Sequence, residues 1–270
     1  MQRATRQSRS IMDARLHLPD TSLVQSPVAP WSLDEPGFLR YLDRCGVKGG
    51  VVHGLRPPPA SAADAYTAAN RKVLRFVEKH KGRFTGACTL DLGSVDESLR
   101  EMDDWKRRFG MVWVAELRFA PGEQGFPREA FDRLLRQAVS LDMVVTVNTD
   151  MDGVSELART YSQATLVFSQ LEAGADRPAL LRRIEVAAAG KNFYVEAGPR
   201  GYERMGLVEF AVEHVGAHRV VYGSNFATTS PAAVIARVDN AFLPADQKEA
   251  ILFRNTQALL ETVGWRFERA

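Results

Sequence analysis

Eight short β-rich runs, each followed by a helical pattern, constrain this chain more than any other feature. They are IMDARLHL (11–18), VKGGVVHG (47–54), FTGACTLDL (84–92), VWVAELRFA (112–120), MVVTVNTD (143–150), TLVFSQLE (165–172), NFYVEAGP (192–199) and RVVYGSNF (219–226). Strands alternating with helices in this way signal βα units around a parallel sheet. Eight such units close a sheet into a barrel. The sequence is therefore expected to form a single (β/α)8 TIM barrel over residues 11–270, preceded by a basic, polar N-terminal arm at 1–10.

The intervening segments carry the complementary helical periodicity. From Ala65 to Lys79, apolar Ala69, Val73, Leu74, Phe76 and Val77 recur at three-to-four spacing, with Ser61 near the start as a cap. SVDESLREMDDWKRRF repeats the pattern with Leu99, Met102 and Phe109, and its Ser94 and Glu97 have capping-box spacing. FPREAFDRLLRQAVSL follows Pro127, and PADQKEAILFRNTQALLETV is expected to pack over one end of the barrel. No Gly/Ser linker or change of composition divides the chain.

Composition enters by exclusion. With 45% hydrophobic residues, 25% charged residues and a formal charge of +2, the chain reads as an ordinary globular protein. The basic residues are interspersed with acidic ones rather than gathered in a stripe, so nucleic acid is not an expected partner. Apolar runs such as MVVTV are far shorter than a membrane span, and MQRATRQSRS lacks the apolar segment of a secretory signal. Cys45 and Cys88 have no metal-site spacing and no disulfide framework. A reduced, cytoplasmic protein follows as the expectation.

Chemistry in a βα barrel sits at the carboxyl ends of the strands. Those ends carry Asp13, Arg15 and His17, then His53, Asp91, Glu116 or Arg118, Asn148 with Asp150, Gln170 with Glu172, Glu196, and Asn225. The period of two places Asp13, Arg15 and His17 on one strand face. Any single polar strand end is more often a hydrated rim than a site, and a lone histidine is more often a hydrogen-bonded structural residue than a proton carrier. His53 precedes the Pro-rich stretch GLRPPPASAAD, which has the composition of a lid, and its bland role is to anchor that loop.

The chain resembles the amidohydrolase superfamily, in particular its amidohydrolase-related hydrolases and decarboxylases. DARLHL is similar to that family's D-A-H-x-H-x opening strand, GRFTGACTLDL to its third strand, and VTVN to a fifth strand that ordinarily ends in histidine. LVFSQLEAG, RVVYGSNF and EAILFRNTQALL resemble its sixth strand, its R-x-x-x-G-S-D-[YF] eighth strand and its closing helix. The resemblance implies a metal site of four histidines and an aspartate, at positions where this chain has Arg15, His17, Asn148, Gln170 and Asn225. One of five is retained. Amide side chains are poor ligands for zinc or manganese, and a fixed cation ~4 Å from a charge of the same sign is repelled by about 4 kcal/mol at an effective dielectric of 20. No metal and no other cofactor is expected.

Three readings follow. In the first, a metal-independent hydrolase or lyase acts on a small carboxylate or lactone, with Arg15 replacing the metal's charge, His17 as proton carrier and Glu196 as its acidic partner. Asp13, His53, Arg118, Asn148, Gln170, Glu172 and Asn225 then line the substrate, and inward-facing Arg15 and Arg118 favour an anion. In the second, a non-catalytic barrel binds a small molecule or a partner through the former pocket. In the third, a homodimer forms through a patch bearing Trp113 or Trp265, although tryptophans in such positions are more often core.

Overall fold

The computed structural model describes residues 10–18, 33–55, 63–169, 177–199 and 204–268. Eight strands, β1 (Ile11–His17), β2 (Val47–His53), β3 (Phe84–Cys88), β4 (Trp113–Phe119), β5 (Val144–Thr149), β6 (Leu166–Phe168), β7 (Phe193–Ala197) and β8 (Val220–Tyr222), form one sheet in sequential order. Every neighbouring pair is parallel. Between them run α1 (Glu35–Cys45), α2 (Ala63–Lys79), α3 (Val95–Arg107), α4 (Arg128–Ser140), α5 (Met151–Thr160), α6 (Arg177–Ala187) and α7 (Leu207–Val215), with α8 (Pro231–Asp239) after β8. The (β/α)8 barrel expected from the alternation is the fold. No helix among the described residues is long and apolar enough to cross a membrane.

The seam from last strand to first is made by the segment after β8. Asn225 N donates to Arg15 O (3.0 Å), Leu16 bridges Phe226 in parallel, and Ser224 N donates to the Asp13 carboxylate (3.0 Å). β2 approaches so closely that side chains are excluded. A Cβ on Gly50 would lie 2.0 Å from Asp13 O, and one on Gly49 would lie 2.1 Å from Arg83 O.

Two apolar layers result. The larger packs the outer strand faces, such as Leu16, Val52, Val114, Leu117 and Phe119, against the helices. The smaller takes Ala14, Val51, Ala87, Trp113, Ala115, Val144, Val167 and Val221 from seven different strands. Residues from so many strands meet only along the barrel axis. Leu259 and Leu260 of α9 (Asn255–Thr262) join this inner cluster and cover one end, and Asn255 Nδ2 ties that helix to Ala217 O (2.6 Å) and Val220 O (2.7 Å). Each large aliphatic or aromatic side chain so buried contributes roughly 1.5–3 kcal/mol.

Several local expectations change. Ser94 precedes α3 without a side-chain capping bond; Ser98 Oγ instead donates to Asp91 O (3.0 Å) and accepts from Asp91 N (2.9 Å). The third run ends early because the Asn70 amide brackets Thr89, accepting from its N–H (2.8 Å) and donating to its carbonyl (2.9 Å). Asp91 thus lies past the end of the strand, where its carboxylate accepts from Gly93 N (2.9 Å). Trp113 is wholly buried, with its indole N–H on Thr146 Oγ1 (2.8 Å), and so forms no surface patch; Trp265 is partly buried against the inner cluster. Cys45 and Cys88 are both free thiols. Ser61, nearly all of the 1–10 arm and most of the Pro-rich stretch lie outside the described residues.

Candidate active site

Strict alternation fails on two strands, and the site depends on both failures. The β1–β2 register shifts between Asp13 and Leu16, and the β4–β5 register shifts between Val114 and Leu117. Each shift is a β-bulge, which lets consecutive residues turn to the same side. Ala14 and Ala115 belong to the inner cluster while Leu16 and Leu117 belong to the outer one. Arg15 and Glu116 therefore follow their alanines inward.

They meet across the lumen. Arg15 Nη2 donates to Glu116 Oε2 (2.7 Å), and Arg15 Nη1 lies 3.6 Å from Glu196 Oε2 on β7. β1, β4 and β7 are not neighbours in the sheet, so these contacts pass through the barrel axis. Glu116 also accepts from Ser169 Oγ just beyond β6 (2.5 Å) and, at 3.5 Å, from Asn148 Nδ2 on β5. Gly198 and Gly223 make room for Glu196: a Cβ on either would lie 2.7 Å from its carboxyl group.

Electrostatics separates the two carboxylates. Burial tends to raise Glu116, but Arg15, Ser169 and Asn148 outweigh it and hold its carboxyl below the ordinary range. Glu196 is more deeply buried and pushed up to about 7, chiefly by desolvation, with Glu116 and Asp13 adding to the rise and Arg15 opposing it. One guanidinium serves two carboxylates, and only the first is ionised throughout the neutral range.

His17 is fixed by its neighbours. Thr228 Oγ1 donates its one proton to Asn225 O (2.7 Å), so it must accept from Asn225 Nδ2 (2.6 Å). That orientation turns Asn225 Oδ1 toward His17 Nε2 (2.8 Å), which therefore carries the proton. Asn225 holds this position with a left-handed φ of 55°. Burial, and then the charge of Arg15, lower His17 to about 4. The ring is neutral at physiological pH, its Nδ1 is buried, and the Gly54 backbone lies beside the ring. His53, also held well below its usual value by burial, sets its Nε2 on Ala14 O (3.2 Å) and its ring 5.9 Å from that of His17.

The structure thus gathers Arg15, His17, His53, Asn148, Glu196 and Asn225 around one end of the lumen. Asp13 also serves the closing seam: its Oδ1 accepts from Arg15 N (2.9 Å) and Ser224 N (3.0 Å). Arg118 is half exposed and paired with Glu123 on the rim, so it is no inward clamp. Gln170 and Glu172 lie outside the described residues. Sequence parity left Glu116 and Arg118 as alternatives and gave Ser169 no role; the bulge in β4 brings the glutamate into the lumen.

The side chains described at this end of the lumen are a poor donor set for a divalent metal ion. Among the described residues no group of three or more histidine, cysteine, aspartate or glutamate side chains is placed to hold one. The two carboxylates that face each other across the lumen are spanned by a guanidinium, a permanent cation.

The amidohydrolase family model matches residues 25–262. An uncharacterized TIM-barrel protein from Bordetella bronchiseptica superposes with a TM-score of 0.74 at 16% identity, over 95% of this chain and 100% of that one. 5-Carboxyvanillate decarboxylase from Sphingomonas paucimobilis gives a TM-score of 0.72 at 11% identity, over 93% and 99%. Dihydroxybenzoic acid decarboxylase from Polaromonas, with bound manganese and the inhibitor 2-nitroresorcinol, gives 0.68 at 12% identity, over 94% and 97%. A search of curated proteins gave no match. At these identities the solved structures establish the shared fold.

Proposed function

The chain belongs to the amidohydrolase family, and from that premise we propose that it hydrolyses a small ester- or lactone-type substrate without a bound metal ion. The observation that carries this reading is the Arg15 guanidinium in the lumen, 2.7 Å from Glu116 and 3.6 Å from Glu196. It supplies a positive charge that needs no loading.

We assign the role of base to Glu116, where the sequence reading has His17 as the proton carrier. His17 spends its Nε2 proton on Asn225, and its Nδ1 is covered. Glu116 keeps 23% of its side-chain surface open and is held ionised by Arg15, Ser169 and Asn148. In the proposed step a water oxygen attacks the substrate carbonyl carbon while Glu116 takes the water's proton. The tetrahedral species collapses, the carbon–oxygen bond to the leaving alkoxide breaks, and Glu116 returns the proton to that oxygen. The carboxylic acid product ionises in solvent. Neutral His17 and Asn148 border the reacting group, and Glu196 anchors the far side of the guanidinium.

A panel of esters and lactones, assayed on chelator-treated protein with and without added manganese or zinc, tests both parts. Turnover is expected to survive chelation, to gain nothing from either metal, and to fall by about a hundredfold or more in Glu116→Gln. A requirement for metal would overturn the metal-free reading, and undiminished turnover in Glu116→Gln would overturn the assignment of the base. The covered state of His17 favours a second reading, a barrel that binds small molecules without transforming them; ligand binding with no turnover across the panel is its signature.

A further inference from the structure

We propose that Ser169 is a positioning residue for the base: its hydroxyl joins the Arg15 guanidinium on one oxygen of the Glu116 carboxylate and holds that group in place as it takes a proton. The inference rests on the hydrolase reading and adds to it a residue from the end of β6.

The sheet fixes where this serine stands. Ser169 follows β6 directly, and its backbone N–H donates to Val147 O on β5 (3.0 Å), just past the pairing of Phe168 with Val147. A hydroxyl has one proton to give. Two acceptors lie near, Glu116 Oε2 at 2.5 Å and Val147 O at 3.5 Å, and the shorter contact takes it. Ser169 thus donates to a carboxylate, which makes a stronger hydrogen bond than a neutral acceptor does. Only 1% exposed and turned to Glu116, the serine acts through the glutamate.

A glutamate used as a base needs more than one hold. The last torsion of its side chain has a broad, roughly two-fold profile, so a single contact lets the carboxylate turn. Arg15 Nη2 reaches Glu116 Oε2 from β1 across the lumen (2.7 Å), and Ser169 Oγ reaches the same atom from the end of β6. Burial tends to raise the Glu116 carboxyl, and Arg15 and then the Ser169 hydroxyl bring it below the ordinary range. The charged and titratable groups facing Glu116 among the described residues are Arg15 and His17 of β1 and Glu196 of β7. These side chains are unaltered by a substitution at Ser169, so the difference between variant and wild type reports on the serine.

The full chain is compared with Ser169→Ala, with Ser169→Cys, which keeps the size but only a weak donor, and with Ser169→Thr, which keeps the hydroxyl. Carbon NMR follows the Glu116 carboxyl, identified by its loss in Glu116→Gln, and an ester turned over by the wild type supplies kcat and KM against pH. The alanine and cysteine variants are expected to raise the Glu116 midpoint and the acidic limb of kcat/KM together by about one pH unit. They should also lower kcat by about tenfold with KM within about twofold, and threonine should restore both. A serine that only fills space would leave the midpoint where it is. An unmoved midpoint in a folded alanine or cysteine variant overturns the inference, as does a folded threonine variant that behaves like alanine. Turnover that needs Glu116, with an unmoved midpoint, removes this inference and leaves the hydrolase reading. A moved midpoint with no turnover of any ester or lactone removes the hydrolase reading, and with it the catalytic purpose of the serine.

Discussion

At His17 the direction of one hydrogen bond is fixed by a threonine far along the chain. Thr228 commits its proton to a backbone carbonyl, this orients the Asn225 amide, and the amide selects the histidine tautomer. The result is a neutral ring beside a fixed cation. Replacing the neutral acceptor by a charged one reverses the balance, because an adjacent carboxylate favours imidazolium. Asn225→Asp is therefore expected to raise His17 from about 4 toward the ordinary histidine range, read from the ring proton shifts in an NMR titration. Aspartate tolerates the left-handed backbone at this position, so the fold should survive. A His17 titration that does not move would show that the two side chains are not partners. The residue letters made Arg15 and His17 visible as candidates, since each stands at a strand end in a family-like motif. They could not reveal that the histidine's exchangeable proton is already spent.

At the level of elements, period-two alternation gave the right strands and partly the wrong faces. Asp13, Arg15 and His17 share parity, yet Asp13 serves the seam while Arg15 crosses the lumen, because a register shift intervenes. Glu116 and Ser169 were hard to read for the same kind of reason. A bulge has no composition of its own, and it shows itself only when two strands pair. Glycines mark another such constraint, since β2 must pass within van der Waals contact of β1. Gly50→Ala places a Cβ 2.0 Å from the Asp13 carbonyl oxygen, so one backbone must move. The substitution is expected to cost about 1–3 kcal/mol in a denaturant melt. Gly122→Ala, where a Cβ would meet nothing within 4 Å, is the control expected to stay within ±0.5 kcal/mol. Equal effects of the two would remove the close-approach argument.

For the molecule as a whole, the buried titratable groups couple stability to pH in opposing directions. Asp13 and Glu196 are raised from 3.8 and 4.5 to about 7, so over those intervals the unfolded chain loses protons first and stability falls as pH rises. His17, lowered from 6.5 to about 4, and His53, lowered further, act oppositely: the unfolded chain holds more protons, and stability rises with pH up to 6.5. Two losses and two gains cancel between about pH 4.5 and 6.5. These four groups are expected to leave unfolding free energy nearly level there, with a decline between 6.5 and 7. Glu196→Gln removes one loss, so its stability relative to wild type should climb with pH across the same window. Denaturant melts at half-unit intervals check this, and a difference that stays constant with pH would refute the buried, raised state of Glu196. What the sequence determined by itself was the architecture: eight alternations of strand and helix permit few closed sheets, and hydrophobic periodicity is local information. It also placed polar residues at the strand ends. Only the tertiary structure decided which of them meet. Arg15, Glu116 and Glu196 come from three non-adjacent strands, and their distances are set by bulges, by the closing seam and by the glycines that clear space for a carboxylate, none of which is encoded within any one segment.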